Sequence, residues 1–226
     1  VEGRELLVTD TIVGVDSIEN LVRPYRKRIN EELDEPLAYC PKTLSKTDGE
    51  LNTALGNMIV DNAFKKTNAI FNKRTGKNID IMLLNHGGMR SIISEGTVTT
   101  RTAYEVMPFE NYAVVVELKP EKIVQLAEYL AKRKRAHPLS GLQLTLNPDG
   151  SIKEFLVQGK PVDSNRTYFV GTSNYLANLG DNAIFFENPI SMVETDYLLR
   201  NMLIDYFKEV DTIAPLADNR FIKLIP

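Results

Sequence analysis

Apolar positions recur along the chain with two different periods, which predicts both helices and strands. Helical spacing, with apolar residues three or four apart, is found over residues 17–33, 50–66, 120–130 and 197–207. Short β-branched or apolar runs typical of strands cover residues 6–15, 79–84, 112–118, 168–170 and 221–225. Two further runs, 142–146 and 152–157, flank the turn Asn147-Pro148-Asp149-Gly150 and predict a hairpin. The pattern indicates a mixed α/β fold with some antiparallel pairing rather than a regular βαβ repeat.

The first helical stretch contains a proline and lies ahead of the segments that could carry chemistry. Ser17 is a suitable N-cap, and the stretch stops before Pro36. Pro24 lies inside it, which predicts a kink or a split. The sequence starts at Val1 and not at a Met, which is consistent with a trimmed chain or a removed export signal. The amphipathic stretch either packs on its own domain or docks a partner.

Composition excludes several classes of function. The 226 residues are 43% apolar and 25% charged, with a net charge of −3, so there is no basic excess to attract nucleic acid. No apolar run approaches the roughly 18–20 residues of a membrane span. A single cysteine, Cys40, excludes an internal disulfide and a cysteine-rich metal site. Only two histidines, His86 and His137, are available for metal or acid–base chemistry.

Three polar segments follow or precede apolar runs. In Asn85-His86-Gly87-Gly88-Met89-Arg90, the glycines allow a ligand close to the backbone, Asn85 suits a nucleobase edge, and Arg90 suits phosphate or ribose oxygens. The alternative is a plain strand-to-loop turn. Val106 to Asn111 presents Phe109 after a proline, where it either stacks on a base or plugs the core. Ser173 to Asn182 places Tyr175 six residues before Asp181, and the alternative is a capped short helix and a turn.

In this order, the three segments resemble the C-terminal domain of the 5′-nucleotidase / UDP-sugar hydrolase family over roughly residues 45–225. That family carries Asn-x-Gly-Gly-x-Arg, then Pro-Phe, then Asn-Phe, three residues and Gly-Gly-Asp. The resemblance implies an α/β fold of the α+β type, layered α/β/β/α with mixed sheets. It also implies a division into an N-terminal strand and helix extension, 1–44, that packs on or links to the domain, and a nucleotide-binding domain, 45–226.

The resemblance further implies a role for each motif residue. Two aromatic rings, Phe109 and Tyr175, would sandwich the base, and Asn85 would contact its edge. Gly87 and Gly88 would pack near the base. Arg90 would reach ribose or phosphate, and Asp181 would bind the ribose hydroxyls.

The chain departs from the family pattern at several positions. His86, Leu179 and Asn182 stand where the family commonly has glycine, so His86 narrows the loop or adds a contact and the turn around Asp181 differs. Tyr175 replaces the common Phe, which keeps a stacking face and adds a hydroxyl. Members often carry further arginines near the start of the helix holding Gly56 and Asn57, whereas residues 43–55 here offer only Lys46.

Family enzymes hold two divalent metals in a separate N-terminal metallophosphatase domain, with Asp-x-His, Asn-His-Glu and His-x-His motifs. None of these motifs occurs here, and two histidines cannot build such a site. The chain itself is thus expected to contain no catalytic residues and no metal ligands, and to be inactive alone. Divalent metals are expected only in a metallophosphatase domain or subunit carried elsewhere.

The resemblance therefore predicts a substrate-recognition domain of a phosphohydrolase that binds a nucleotide or nucleoside. A stand-alone nucleotide- or nucleoside-binding protein without a catalytic partner is the alternative, and a degenerate structural domain is a third reading. Family members act mostly outside the cytoplasm, which implies an extracytoplasmic location, periplasmic or lipid-anchored. A nucleic-acid partner and a transmembrane segment are not expected.

Overall fold

The computed structural model describes residues 3, 5, 7, 9 and 11–225, which fall into two compact units, one ending at Glu35 and one beginning at Pro36. In the first unit, helix α1 spans Asp16–Leu33, confirming the helix predicted there, and it is not split at Pro24. The stretch 6–15, predicted to be a strand or an extended arm, lies partly outside the described residues, and its described residues form no strand. No residue of α1 is buried. Its apolar side chains Ile18, Leu21 and Tyr25 are exposed.

The second unit contains the remaining helices and the strands. The longer helices are α2 (Ala54–Thr75), α3 (Thr100–Val106), α4 (Pro120–Arg133) and α6 (Leu199–Glu209), and α5 (Asn174–Ala177) is a single turn. The strands are β1 (Pro36–Cys40), β2 (Ile81–Leu83), β3 (Gly96–Thr99), β4 (Tyr112–Leu118), β5 (Leu139–Ser140), β6 (Leu142–Leu146), β7 (Ile152–Val157), β8 (Tyr168–Ser173), β9 (Ser191–Leu198) and β10 (Phe221–Lys223). This unit starts at Pro36, whereas the sequence placed the domain start at residue 45.

A five-stranded sheet in the order β5-β2-β8-β4-β9 forms the centre of the second unit. Strands β2 and β8 are parallel, and β4 pairs antiparallel with β8 on one side and with β9 on the other. Successive side chains of β4 point to opposite faces. Ala113 and Val115 enter one core, while Val114, Val116 and Leu118 enter the other. Both faces of the central strand are therefore buried, as expected from its continuous apolar run.

Each face of this sheet is covered by a different layer. On one face, α2, α3 and α6 form a core with the sheet and with the β1–β3 pair. On the other, α4 and the three-stranded sheet β10-β6-β7 share a second core. Antiparallel β6 and β7 form the predicted hairpin, and parallel β10 adds to β6. The predicted mixed α/β fold with mixed sheets is confirmed.

Helix α6 begins two residues later than the helix predicted at 197–207, because Tyr197 and Leu198 belong to β9. The buried Thr195 hydroxyl donates to the Ala113 carbonyl at 2.7 Å, which ties this part of β9 to β4. Since Leu198 pairs with Tyr112 in the sheet, the helix can begin only after it. Apolar spacing alone did not separate the end of the strand from the start of the helix.

Candidate functional site

The three polar segments meet at one edge of the five-stranded sheet. The segment from Asn85 follows β2, and the segment from Asn174 follows β8. Because β2 and β8 are parallel, both segments leave the sheet at the same edge. Strand β4 is antiparallel to β8 and starts at Tyr112, so the loop before it, which carries Phe109, also lies at that edge. The strand directions thus explain why segments far apart in sequence converge.

A cleft of about 320 Å³ lies where the segments meet. It is lined by Asn85, Gly87, Arg90, Phe109, Asn111, Tyr175 and Asp181. Six of these were singled out from the sequence, and the structure brings them together. Gly88 is buried beside the lining residues. Asn111 was not predicted, although its position directly before β4 and two residues after Phe109 is a signal that could have indicated it.

The two aromatic side chains of the cleft are both exposed to a degree unusual for large rings that pack in a core. Phe109 retains 49% of its exposure and Tyr175 retains 41%. The Arg90 guanidinium lies 5.9 Å from the centre of the Phe109 ring. The alternative of Phe109 as a core plug is therefore wrong. Two accessible rings in one small cleft give it faces on which a flat apolar group can pack.

Tyr175 and Asp181 hold each other at the edge of the cleft. The Tyr175 hydroxyl donates to Asp181 Oδ1 at 3.0 Å, and the Asp181 N–H donates to the Tyr175 oxygen at 3.2 Å. The hydrogen bond to the carboxylate raises the pKa of Tyr175, with a smaller contribution from burial. The hydroxyl that distinguishes Tyr from Phe at this position thus fixes the acidic side chain. The Asp181 carbonyl accepts in turn from Tyr129 and Arg133 of α4.

The turn that carries Asp181 forms with Leu179 and Asn182 at two positions where the family commonly has glycine. Leu179, Asp181 and Asn182 all have positive φ, at 65°, 53° and 57°. Asp and Asn tolerate this left-handed region because their short polar side chains bond locally, whereas Leu does so at a cost. At the one glycine of the turn, Gly180, an added Cβ would lie 2.5 Å from the Tyr175 ring. The turn is therefore shaped against that ring.

In the glycine loop, the Asn85 amide lies over the two glycines. A Cβ on Gly88 would meet Asn85 Oδ1 at 2.9 Å, and one on Gly87 would meet Asn85 Nδ2 at 3.5 Å. The residue before them, His86, does not line the cleft. Its Nδ1 contacts the Ala136 carbonyl at 3.1 Å, and its N–H donates to His137 Nδ1 at 3.4 Å. His86 thus fastens the loop to the segment after α4.

His137 is buried behind this loop and carries no charge at neutral pH. Burial lowers its pKa to about 4, with His86 and Arg133 as smaller electrostatic contributions in the same direction. Neutral His137 can therefore accept the hydrogen bond from the His86 backbone. Its ring packs edge-on against Tyr129, with centroids 5.6 Å apart. It supports the glycine loop rather than facing the cleft.

Positively charged side chains lie close together at the Arg90 end of the glycine loop. Lys46 Nζ donates to the Met89 carbonyl at 2.5 Å, next to Arg90. Burial lowers the pKa of Lys46 first, and the charges of Arg90 and Arg135 lower it further. Although residues 43–55 lack the arginines of the family pattern, Lys46 therefore places a cation beside Arg90. This group of positive charges favours an anion at that end of the cleft.

Two classes of site are not found in the part of the chain that the structure describes. Residues 11–225 and the isolated residues before them contain no group of three or more His, Cys, Asp or Glu side chains that could hold a metal ion. Over the same residues, every helix is too short or too polar to span a bilayer.

The sequence also matches a known protein family over most of its length. Residues 36–188 match the family described as "5'-nucleotidase, C-terminal domain". The chain belongs to this family. The matched region of this 5′-nucleotidase C-terminal domain contains every residue that lines the cleft.

Curated relatives extend well beyond this domain. The Escherichia coli (strain K12) "Protein UshA" is 21% identical over 217 residues, which is 92% of this chain and 37% of that protein. A "5'-nucleotidase" from Vibrio cholerae is 22% identical over 230 residues, or 97% of this chain and 38% of that protein. The chain thus spans less than half the length of the curated relatives it matches.

Solved structures share the fold. The 5′-nucleotidase precursor from Thermus thermophilus superimposes with a TM-score of 0.75 at 25% identity, over 92% of this chain and 43% of that one. The Haemophilus influenzae NAD nucleotidase gives a TM-score of 0.65 at 18% identity, over 93% of this chain and 42% of that one. The second likeness is one of fold alone.

Proposed function

We propose that the chain is the nucleotide- or nucleoside-recognition domain of a 5′-nucleotidase-like phosphohydrolase, and that the base stacks between Phe109 and Tyr175. The observation that carries the proposal is the pair of exposed rings in a cleft that also holds an amide, a carboxylate and an arginine. Its volume of about 320 Å³ lies at the lower end of the roughly 300–1,000 Å³ of ligand pockets. A nucleoside is a small ligand with one flat apolar group and several polar ones.

Each remaining group has a role in this proposal. The Asn85 amide, which both donates and accepts, reads the edge of the base. Gly87 and Gly88 keep the backbone close to it. Asp181, held by the Tyr175 hydroxyl, accepts from the ribose hydroxyls. Arg90 and Lys46 supply positive charge for a phosphate group.

Catalysis belongs, in the proposal, to a separate metallophosphatase domain or subunit that holds two divalent metals. The relatives named as 5′-nucleotidases are more than twice as long as the part this chain matches, which leaves room for such a domain. We expect this chain alone to leave AMP unhydrolysed. An extracytoplasmic location is part of the same proposal, because it rests on the family resemblance.

Calorimetric titration of the purified chain with adenosine, AMP, UMP and UDP-glucose tests the proposal. Stacking on one ring contributes about 1–3 kcal/mol per base, so Phe109→Ala is expected to weaken nucleoside binding by that amount. Tyr39→Ala is the matched control, since Tyr39 is also 49% exposed but does not line the cleft. Binding that is equally tight in Phe109→Ala and in the unaltered chain would overturn the stacking site.

A comparison of ligands with and without a phosphate group tests the two ends of the cleft separately. Arg90→Gln is expected to weaken AMP binding and to leave adenosine binding nearly unchanged, because only AMP carries the phosphate. A stand-alone binding protein would bind these ligands as tightly alone as beside a metallophosphatase. A recognition domain is expected to bind them more tightly when the second domain is joined to it. Failure to bind any ligand in the millimolar range, with or without that domain, would contradict the proposal.

A further inference from the structure

The loop that carries Phe109 is fastened at both ends to the start of helix α6. Arg200, the second residue of α6, donates from Nη1 to the Pro108 carbonyl at 3.1 Å. The N–H of the preceding residue, Leu199, donates to the Asn111 carbonyl at 2.9 Å. These two bonds lie on either side of Phe109. Helix α6, which is far from the loop in sequence, therefore holds the loop on both sides of Phe109.

Phe109 depends on this anchoring because its own side chain contributes little to holding it. The ring is 49% exposed, so packing in the core does not fix it. The Arg90 guanidinium lies 5.9 Å from the ring centre, which is a loose contact. The direction of the ring thus follows from the backbone of residues 108–111, which α6 holds at Pro108 and at Asn111.

The Arg200 side chain has contacts on three sides of this loop. Its guanidinium lies 4.1 Å from the centre of the Tyr104 ring on α3, and Nη2 lies 3.9 Å from the Glu110 carboxylate. The residue retains only 5% of its exposure. A planar guanidinium can lie flat on a ring while its N–H groups donate to a carbonyl, a geometry that a compact ammonium group does not have.

The pairing of this guanidinium is incomplete. Its Nε atom is buried and has no hydrogen-bond partner among the described residues. A buried donor without a partner destabilises the folded state, and an apolar side chain of similar volume is often as stable or more so. The Nε donor thus costs stability, whereas the Nη1 donor is used on the Pro108 carbonyl, in the loop that carries Phe109.

We propose that Arg200 is a positioning residue for the base-stacking ring: through the Pro108 carbonyl and Tyr104, it holds the Phe109 loop in the orientation that binds the ligand. This inference rests on the proposed function, which assigns base stacking to Phe109. It adds a residue outside the cleft, on α6, that sets ligand affinity without touching the ligand.

The first test needs no ligand. The chain is prepared with 4-fluorophenylalanine at position 109 alone, and its fluorine NMR resonance is recorded for the unaltered sequence and for Arg200→Met. The expected result is a changed or broadened resonance in Arg200→Met. Arg74→Met is the control, because Arg74 also donates to backbone carbonyls, those of Glu194 and Thr195, away from the cleft. An unchanged resonance in Arg200→Met would overturn the inference.

The second test is a double-mutant cycle on adenosine affinity. Arg200→Met is expected to weaken binding about tenfold in a chain with Phe109, since small displacements of a positioning group have large effects. In a chain that already carries Phe109→Ala, it is expected to weaken binding by less than about twofold. Equal losses in both backgrounds would mean that Arg200 acts through general stability, and would overturn the inference. Circular dichroism and thermal unfolding establish that each variant is folded.

If Arg200→Met does not fold, Arg200→Lys is used in the same two measurements. Lysine retains the charge and can still donate to the Pro108 carbonyl, but it loses the stacked, forked geometry, so an intermediate resonance and affinity are expected. A Lys variant indistinguishable from the unaltered chain in both measurements would overturn the role of the guanidinium. If the unaltered chain does not bind adenosine, the proposed function fails at that point, and the fluorine measurement alone still decides whether Arg200 positions the Phe109 loop.

Discussion

Gly180 shows how a single residue without a side chain sets the position of Tyr175. A Cβ built there would lie 2.5 Å from Cζ and 2.6 Å from the carbonyl oxygen of Tyr175. The carbonyl belongs to the backbone of a helical turn, so it cannot move aside as the end of a flexible side chain could. The glycine is required here by the closeness of the ring and the backbone.

We therefore expect Gly180→Ala to lower the free energy of unfolding by about 1–3 kcal/mol, the usual cost of an overpacked site. It should also weaken nucleoside binding, because the Tyr175 ring must shift. Urea unfolding and calorimetry measure the two effects. Gly87→Ala is the control for stability, since its Cβ would meet only Asn85 Nδ2 at 3.5 Å. A Gly180→Ala chain as stable as the unaltered one would contradict the close contact.

His137 makes stability depend on pH through one buried ring. Its pKa in the folded chain is about 4, against 6.5 for an ordinary histidine. Between these values the unfolded chain binds a proton that the folded chain does not, so stability is lost as the pH falls from 6.5 to 4. A pKa difference of this size corresponds to about 3 kcal/mol in the free energy of unfolding.

The measurement is urea unfolding of the unaltered chain and of His137→Gln from pH 7 to pH 4. Glutamine keeps an acceptor for the His86 N–H but does not titrate. Carboxylates titrate in both chains, so the difference between the two curves isolates the histidine. We expect the unaltered chain to lose more stability over this interval. Parallel curves would show that His137 is protonated equally in the folded and unfolded chains.

At the level of elements, the bounds predicted from the sequence are most accurate where a proline or a turn sequence marks the end of a strand or helix. Strand β4 and both hairpin strands have the predicted bounds, because Pro120 and the Asn-Pro-Asp-Gly turn mark their ends. Helix α2 runs to Thr75, well beyond the predicted residue 66, because its later turns are mostly polar and its end is set by Gly76 at φ 73°. Strands β1 and β3 were not predicted, since they are short and stabilised by pairing with each other.

The candidate site was predictable to the extent that each part adjoins a recognisable strand. Asn85, Phe109 and Tyr175 lie next to β2, β4 and β8, so a prediction of those strands and of their directions brings them together. Arg200 was not predictable in this way. It lies 92 residues from Pro108 in sequence, and its role follows only from how α6 packs. From the sequence, Lys46 was only the one basic residue in a stretch where the family carries arginines. That it lies close to Arg90 could be seen only in the folded structure.

For the whole molecule, the division into two units separates a helix from a domain that contains the cleft. Every residue that lines the cleft belongs to the unit that begins at Pro36, and the family match begins at the same residue. Both described cores are built from residues of that unit. In contrast, α1 buries none of its own residues. The cleft to which we assign ligand recognition thus lies entirely within the unit that begins at Pro36.

We expect a chain of residues 36–226 to fold and to bind nucleosides as the full chain does. Its unfolding midpoint should change by less than about 2–4 °C, the shift that roughly 1 kcal/mol produces in a domain of this size. Calorimetry and thermal unfolding of the two chains make the comparison. A larger loss would mean that the apolar side of α1 stabilises the domain. Ile18→Ser and Leu21→Ser in the 226-residue chain would then reproduce that loss, whereas Arg28→Ser, on an exposed charged residue of α1, would not.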